Sequence, residues 1–277
     1  MFGKKIKNLL SVIFVFAFFL IVVWVFNSSP LYLLQREILH WNYFSHVLMI
    51  SVSVVATALT KRGLRSIGLT NINFRNDVRI AMPCMIVAAG YIPQLFFPSL
   101  LNDEPLNSLF QIMATLLALL LVSRERTGDE GALSSQREER PIILPIFSIF
   151  IMANIIDSEL VVSTVIFQFF FVGFGEEIMF RGYVQSRLNE GFGYTWNYAG
   201  VKFGPGLFIT SFLFGIIHLL NPCNPFTGQY ALAVNSGIIS TFTGFLFGFV
   251  REKTGNIIAP SLAHGLLNLG IIIPMLS

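Results

Sequence analysis

Apolar runs of about 20 residues, the length a membrane-spanning helix needs, recur along this chain, and they limit its fold more than any other feature. The runs predict nine apolar helices, near 9–26, 41–59, 79–98, 106–122, 141–156, 160–188, 205–220, 230–250 and 256–275. Pro83 and Pro93 would kink or break the third, because proline removes a backbone donor and clashes with the preceding turn. The expected fold class is therefore all-α, a polytopic transmembrane helical bundle of about nine spans.

Composition agrees. Hydrophobic residues make up 54% of the chain, charged residues 12%, and there are 29 phenylalanines. No polar stretch is long enough for a separate soluble domain. The net charge is +3, and no basic stripe is interleaved with exposed aromatics, which argues against a nucleic-acid partner. The two cysteines, Cys84 and Cys223, fall on opposite membrane sides in this topology, so no disulfide framework is expected. Lys4, Lys5 and Lys7 followed by Leu9 to Phe26 resemble a signal peptide. The apolar part is too long and no small-x-small cleavage site follows, so it reads as a retained first span.

The positive charges set the direction. With a cytoplasmic N-terminus, every Lys and Arg except Arg36 falls on the cytoplasmic side. This points to a multi-pass protein of the cell membrane. The polar segment Ser123 to Arg140 reads as a mobile cytoplasmic loop. It divides residues 1–140, a four-span N-terminal region, from residues 141–277, a five-span core that holds the chemical motifs. The outer loop Asn221 to Phe226 is rich in turn residues. No internal repeat is apparent.

The chemistry starts at Gly175-Glu176-Glu177-Ile178-Met179-Phe180-Arg181, inside a strongly apolar run. A charge at the centre of a membrane helix costs about 2.5–3.5 kcal/mol on insertion scales, so such residues are functional candidates by default. Glu177 and Arg181 are four apart and can pair on one helix face. Glu176 points about 100° away and has no local partner. His218 lies one turn after Phe214, and His264 one turn before Asn268. His40 and His46 sit beside Trp41 and Tyr43 at the expected outer end of the second span, which reads as an interfacial belt. Gly173, Gly175, Gly182, Gly215 and Gly265 would let helices approach closely.

Glu176, Glu177, Arg181, His218, His264 and Asn268 therefore come together from three spans. A carboxylate and an imidazole can hold and deprotonate a water, and a second imidazole and an amide can donate to the oxyanion formed when that water attacks a carbonyl. No serine or cysteine is paired with a base, so direct attack by water is more economical than an acyl-enzyme. Two histidines and a glutamate also form a known zinc ligand set. A His-Glu-x-x-His helix is absent, however, and asparagine would be an unusual ligand.

Glu176-Glu177-x-x-x-Arg181, Phe214-x-x-x-His218 and His264-x-x-x-Asn268, in this order on successive membrane helices, resemble the CAAX protease and bacteriocin-processing family, CPBP or Abi. The resemblance covers about Phe169 to Asn268. It implies an intramembrane endopeptidase with Glu176 as the base that activates water and His218 helping to position it. It further implies that His264 and Asn268 form the oxyanion hole and that Glu177 and Arg181 hold the site together. No metal or other cofactor is implied. The family core is an all-helical bundle with a cavity open towards the cytoplasm. The expected partners are the lipid bilayer and a membrane-associated protein or peptide substrate. The first four spans match no part of the pattern. Two other readings stand beside this one: a non-catalytic scaffold or bacteriocin-immunity protein of the same fold, and a proton-coupled carrier using Glu176 and His218 as a relay.

Overall fold

A computed structural model of the protein describes residues 2–70, 72–89, 104–125 and 163–268. Helix α1 runs over Phe2–Asn27 and stops at Ser28-Ser29-Pro30. Pro30 opens a second helix, α2, Pro30–Leu39, at the one helical position where its missing N–H costs nothing. His40 ends α2 in the left-handed conformation, with φ 62°. Asn42 then caps α3, Tyr43–Leu59, accepting from the Ser45 amide at 3.3 Å. The axes of α2 and α3 meet at 110°. Helix α2 was not expected from the sequence. Its residues are unburied, with the leucines of its apolar face exposed.

Helix α4, Phe74–Ala81, passes through a 3-10 turn at Met82–Cys84 into the short α5, Met85–Ala89. The expected break at Pro83 is present as this 3-10 turn; Pro93 lies outside the described residues. Helix α6 covers Glu104–Arg124. Helix α7, Ser163–Phe192, is the longest among the described residues, at 30 residues. After it come the hairpin β1–β2 (Trp196–Tyr198 with Val201–Phe203), α8 (Pro205–Leu219), the small hairpin β3–β4 (Cys223–Asn224 with Gln229–Tyr230), α9 (Val234–Thr254) and α10 (Ile258–Asn268).

The expected all-α, membrane-type architecture is present, with little strand. Among the described residues, Gly3–Asn27, Pro105–Arg124 and Ser163–Phe192 are long and apolar enough to cross a membrane, and α2 with α3 would add a bent fourth. Nine spans are therefore not reached by length and composition. Helix α8, expected as a span, has 15 residues. The expected helix at 141–156, the second half of the one at 79–98, the end of the one at 256–275 and most of the 123–140 loop lie outside the described residues.

One apolar core draws on both halves of the chain. It joins Phe16, Met49 and Ile80 to Phe180, Phe247 and Leu267. Polar contacts fasten α1 to α7: Asn8 Nδ2 donates to the Arg187 carbonyl at 2.9 Å and Ser11 Oγ shares a proton with Tyr183 Oη at 2.8 Å. Helix α10 is set by Asn256, whose Oδ1 accepts from the amides of Ile258 and Ala259 while Nδ2 donates to Asp77 Oδ1 at 2.9 Å. Such a cap satisfies otherwise orphaned N–H groups of a first turn.

Helix α7 organises the rest. Two π-helical stretches, Phe167–Val172 and Ile178–Gln185, bracket the regular turn Gly173–Glu177. π-turns widen a helix and are frequent at functional sites. Around that turn the neighbours come very close. A Cβ on Gly173 would lie 3.1 Å from the Ser261 carbonyl oxygen, and one on Gly265 would lie 2.7 Å from the Phe169 ring. The expected close approach of helices at these small residues is present, and it brings α7 and α10 near enough for their polar side chains to touch.

Candidate active site

Glu176, 6% exposed, sits where α3, α7, α8 and α10 converge. Its carboxylate faces three imidazoles. His46 Nε2 lies 3.4 Å from Oε1, and His218 Nε2 and His264 Nε2 each lie 3.9 Å from Oε2. The helices place them locally. His46 is in the first turn of α3 and His218 in the last turn of α8.

The other ring nitrogens are all occupied. His218 Nδ1 lies 2.8 Å from the Phe214 carbonyl, and His46 Nδ1 lies 3.1 Å from the Asn42 carbonyl and 3.2 Å from Ser45 Oγ. His264 Nδ1 lies 2.9 Å from Glu177 Oε1. A carbonyl or carboxylate can only accept, so these contacts assign the Nδ1 proton to each ring. A neutral ring then presents a bare Nε2 lone pair towards Glu176. Any hydrogen bond between Glu176 and these rings needs a proton on one of them. At 3.9 Å, a water can touch both groups.

Behind this face lies a fully buried ion pair. Glu177 Oε1 accepts from Arg181 Nη1 at 2.9 Å, and both side chains are 0% exposed. Arg181 Nη2 donates to the Gly244 carbonyl at 3.0 Å. The guanidinium also stacks over Phe214 at 4.5 Å and faces Phe247 at 5.3 Å. Removing charges from water is costly, and a pair like this is held only when geometry and extra hydrogen bonds are good. The i,i+4 pairing expected from spacing is therefore present, with His264 as a third member. Phe214 does more than mark a motif: its ring lies under Arg181 and its carbonyl fixes His218. His264 stacks on Phe247, with ring centroids 4.6 Å apart.

Asn268 is buried on α10, and its Nδ2 donates to Gln168 Oε1 at 3.3 Å. Its hydrogen bond therefore goes to a side chain of α7 rather than to Glu176. The structure brings together five of the six residues singled out in the sequence around Glu176 and Glu177, and ties the sixth to the rim through Gln168.

Two residues were missed. Gln168 is a polar residue in an apolar run, which was its only mark. The reading of His46 as part of an interfacial belt is corrected. His40 is exposed at the end of α2, but His46 is 9% exposed and faces Glu176. A signal existed: His46, Met49, Ser53, Ala56 and Thr57 are all buried and follow helical spacing, so His46 stands on the packed face of α3. Its partner Gly175 makes room, since a Cβ there would lie 3.2 Å from His46 Cβ. Among the described residues, no group of three or more His, Cys, Asp or Glu side chains is arranged to hold a metal ion.

His46 and His218 also show where the cluster lies. Both stand at the end of the bundle that carries the 28–43 and 220–233 connections. That end is opposite Lys4, Lys5 and Lys7.

Residues 158–270 match the family model described as type II CAAX prenyl endopeptidase Rce1-like. No curated protein and no solved structure matches the chain. The matched region contains all three motifs and the whole of α8, α9 and α10, but not His46. Over residues 158–270, the resemblance to the CAAX protease and bacteriocin-processing family that the motifs carry is thereby supported by an independent family match.

Proposed function

We propose that the protein is an intramembrane endopeptidase that hydrolyses a peptide bond of a membrane-associated protein or peptide in the cell membrane, with Glu176 activating water. The observation that carries this is the convergence of three imidazole Nε2 atoms within 3.4–3.9 Å of one buried carboxylate. A structural ion pair needs one partner, and Glu177 with Arg181 already fills that role.

The proton arrangement suggests a course for the reaction. Glu176 takes one proton from water as the water oxygen attacks the carbonyl carbon. That proton passes to the bare Nε2 of His218 or His264, and from there to the leaving nitrogen as the C–N bond breaks. His264 carries its Nδ1 proton towards Glu177 and so becomes a donor to the oxyanion only after Nε2 is protonated. Glu177 orients that ring through Nδ1, as a carboxylate does for a catalytic histidine. Asn268 holds a second amide N–H beyond the one given to Gln168, and that N–H is the candidate second donor. General-base catalysis of this kind contributes about 10²–10⁴-fold.

The test is cleavage by the purified full chain in detergent or lipid, wild type against Glu176→Ala, with and without a chelator. The substrates are a prenylated CAAX peptide and a set of membrane-protein C-termini. Activity lost in the variant and kept in chelator is the expected outcome. Equal activity in both proteins would remove Glu176 from the mechanism. Loss in chelator would bring back a metal. No cleavage of any substrate, with cellular function intact in Glu176→Ala, would favour the scaffold reading.

A further inference from the structure

At the basic end of the bundle, the ends of α7 and α9 and the turn after α3 line a half-open cavity of about 240 Å³. Arg181 forms one wall, while Glu176, Glu177, His218 and His264 are not among the lining residues. Every lining side chain is polar, and Arg62, Arg181 and Arg251 share the lining with Glu190 and Glu252.

The charges are shared. Arg62 Nη2 pairs with Glu190 Oε1, but Glu190 Oε2 also takes Arg187 Nη1 at 3.4 Å, so one carboxylate serves two guanidiniums. Arg181 is matched by Glu177. Glu252 Oε1 accepts from Gln185 Nε2 and from Asn189 Nδ2, each at 2.6 Å. Among the described residues, Arg62 and Arg251 on the lining, with Arg187 behind Glu190, thus meet two carboxylates, Glu190 and Glu252. Burial pushes the Glu252 carboxyl up from its ordinary range, against the pull of the two amides and Arg251, which weakens its opposition to an incoming anion.

Donors are left over. The Arg62 side chain is 9% exposed, yet its Nε and Nη1 have no hydrogen-bond partner among the described residues, and neither has Arg251 Nε. A buried charged N–H left unbonded is costly. Gln185 Oε1 and Asn189 Oδ1 on the same lining are likewise without a partner among the described residues. Unbonded guanidinium donors on two separate elements of one lining nevertheless suit an anion with several oxygens, which guanidinium groups bind in fixed geometry. Aromatic side chains flank it as well. Tyr194 lines the cavity, and Trp196 and Tyr198 beside it are 47% and 54% exposed, as in the aromatic belts that mark membrane interfaces.

We propose that this cavity is an anion site that takes a phosphate group, inorganic or on the headgroup of an anionic lipid, between the guanidiniums of Arg62 and Arg251. It shares Arg181 with the ion pair behind Glu176 but includes neither Glu176 nor the histidines, and it does not depend on the protein being a protease.

The experiment is thermal unfolding of the full chain. In detergent, inorganic phosphate is titrated against chloride at constant ionic strength. In nanodiscs, phosphatidylcholine is compared with and without phosphatidylglycerol. The expected result is stabilisation of the wild type by one of the two, since a ligand of the folded state raises its stability. Arg62→Gln and Arg251→Gln should each weaken the apparent affinity about tenfold or more, in line with the loss of charged hydrogen bonds. Lys202→Gln, at the exposed position of β2, should not. A phosphate response identifies a free anion; a phosphatidylglycerol response without one identifies a lipid headgroup. Should Arg62→Gln fail to fold, Arg251→Gln decides, since it leaves the Glu190 pairs intact. No response of the wild type to either probe, or equal responses in wild type and Arg251→Gln, overturns the proposal.

Discussion

His46 Nε2 stands 3.4 Å from Glu176 Oε1, so a histidine from the N-terminal helices completes a cluster whose other members all come from the second half. His46→Gln should lower cleavage about tenfold to hundredfold, the scale on which misplacement of a reacting group acts. Thermal unfolding of the same preparation separates this from a loss of folding, which would lower Tm together with activity.

Glu177 holds two cations or proton donors at once. Glu177→Gln should destabilise the protein by about 3–5 kcal/mol, because Arg181 would remain buried without a counter-charge. Thermal unfolding in detergent reads this directly. Glu177→Gln with Arg181→Met in the same chain should recover much of the loss, since replacing a buried pair by apolar groups is often close to neutral. The recovered double variant should still be inactive, because His264 would have lost its orienting carboxylate.

Gly175 is the point at which α7 meets the start of α3, with His46 atoms 3.2 Å from a Cβ built there. Gly175→Val should push the two helices apart and separate His46 from Glu176. Overpacking of this kind costs about 1–3 kcal/mol. Activity should fall more steeply than Tm, and the two measured on one preparation would show it.

Glu252 carries the pH prediction. Its carboxyl is pushed up by burial, with the amides of Gln185 and Asn189 and the guanidinium of Arg251 acting against the shift, and Tyr194 also nearby. A carboxyl raised on folding binds its proton more tightly in the folded state. Its stabilising effect is therefore complete below the unfolded-state range and is lost as pH rises through the raised folded value. Wild type should lose stability relative to Glu252→Gln as pH rises through that window. Unfolding curves of both proteins across pH 4–8 check the sign, and a difference that is flat with pH would show that Glu252 titrates normally.

Much of the site was legible in the sequence because it rests on short-range spacing. Glu177 and Arg181 pair because residues four apart share a helix face. Phe214 with His218 and His264 with Asn268 follow the same rule. The small residues at Gly173, Gly175 and Gly265 stand where backbones touch. The fold class was legible as well, since charged residues are scarce and long apolar runs recur.

Other features were not legible. Helix α2 is a ten-residue helix between two runs, and its start on Pro30 looks like a loop signal. His46 sits beside aromatics and was read as interfacial. Only its packing against Gly175, a contact between residues distant in the chain, turns it inward. Gln168 acquires its role in the same way, through Asn268 on another helix, and so does the ring of Phe214, which lies under Arg181 of α7.

The sequence by itself determined the apolar helices, the i,i+4 pairs within them and the small residues that let them meet, because each of these depends on helical periodicity alone. The tertiary structure decided which faces meet: that Glu176 looks at three histidines, that Asn268 is engaged by Gln168, and that arginines from α3's end and α9 share one cavity. Those contacts join residues far apart in the chain, and their geometry is set by how closely the helices pack.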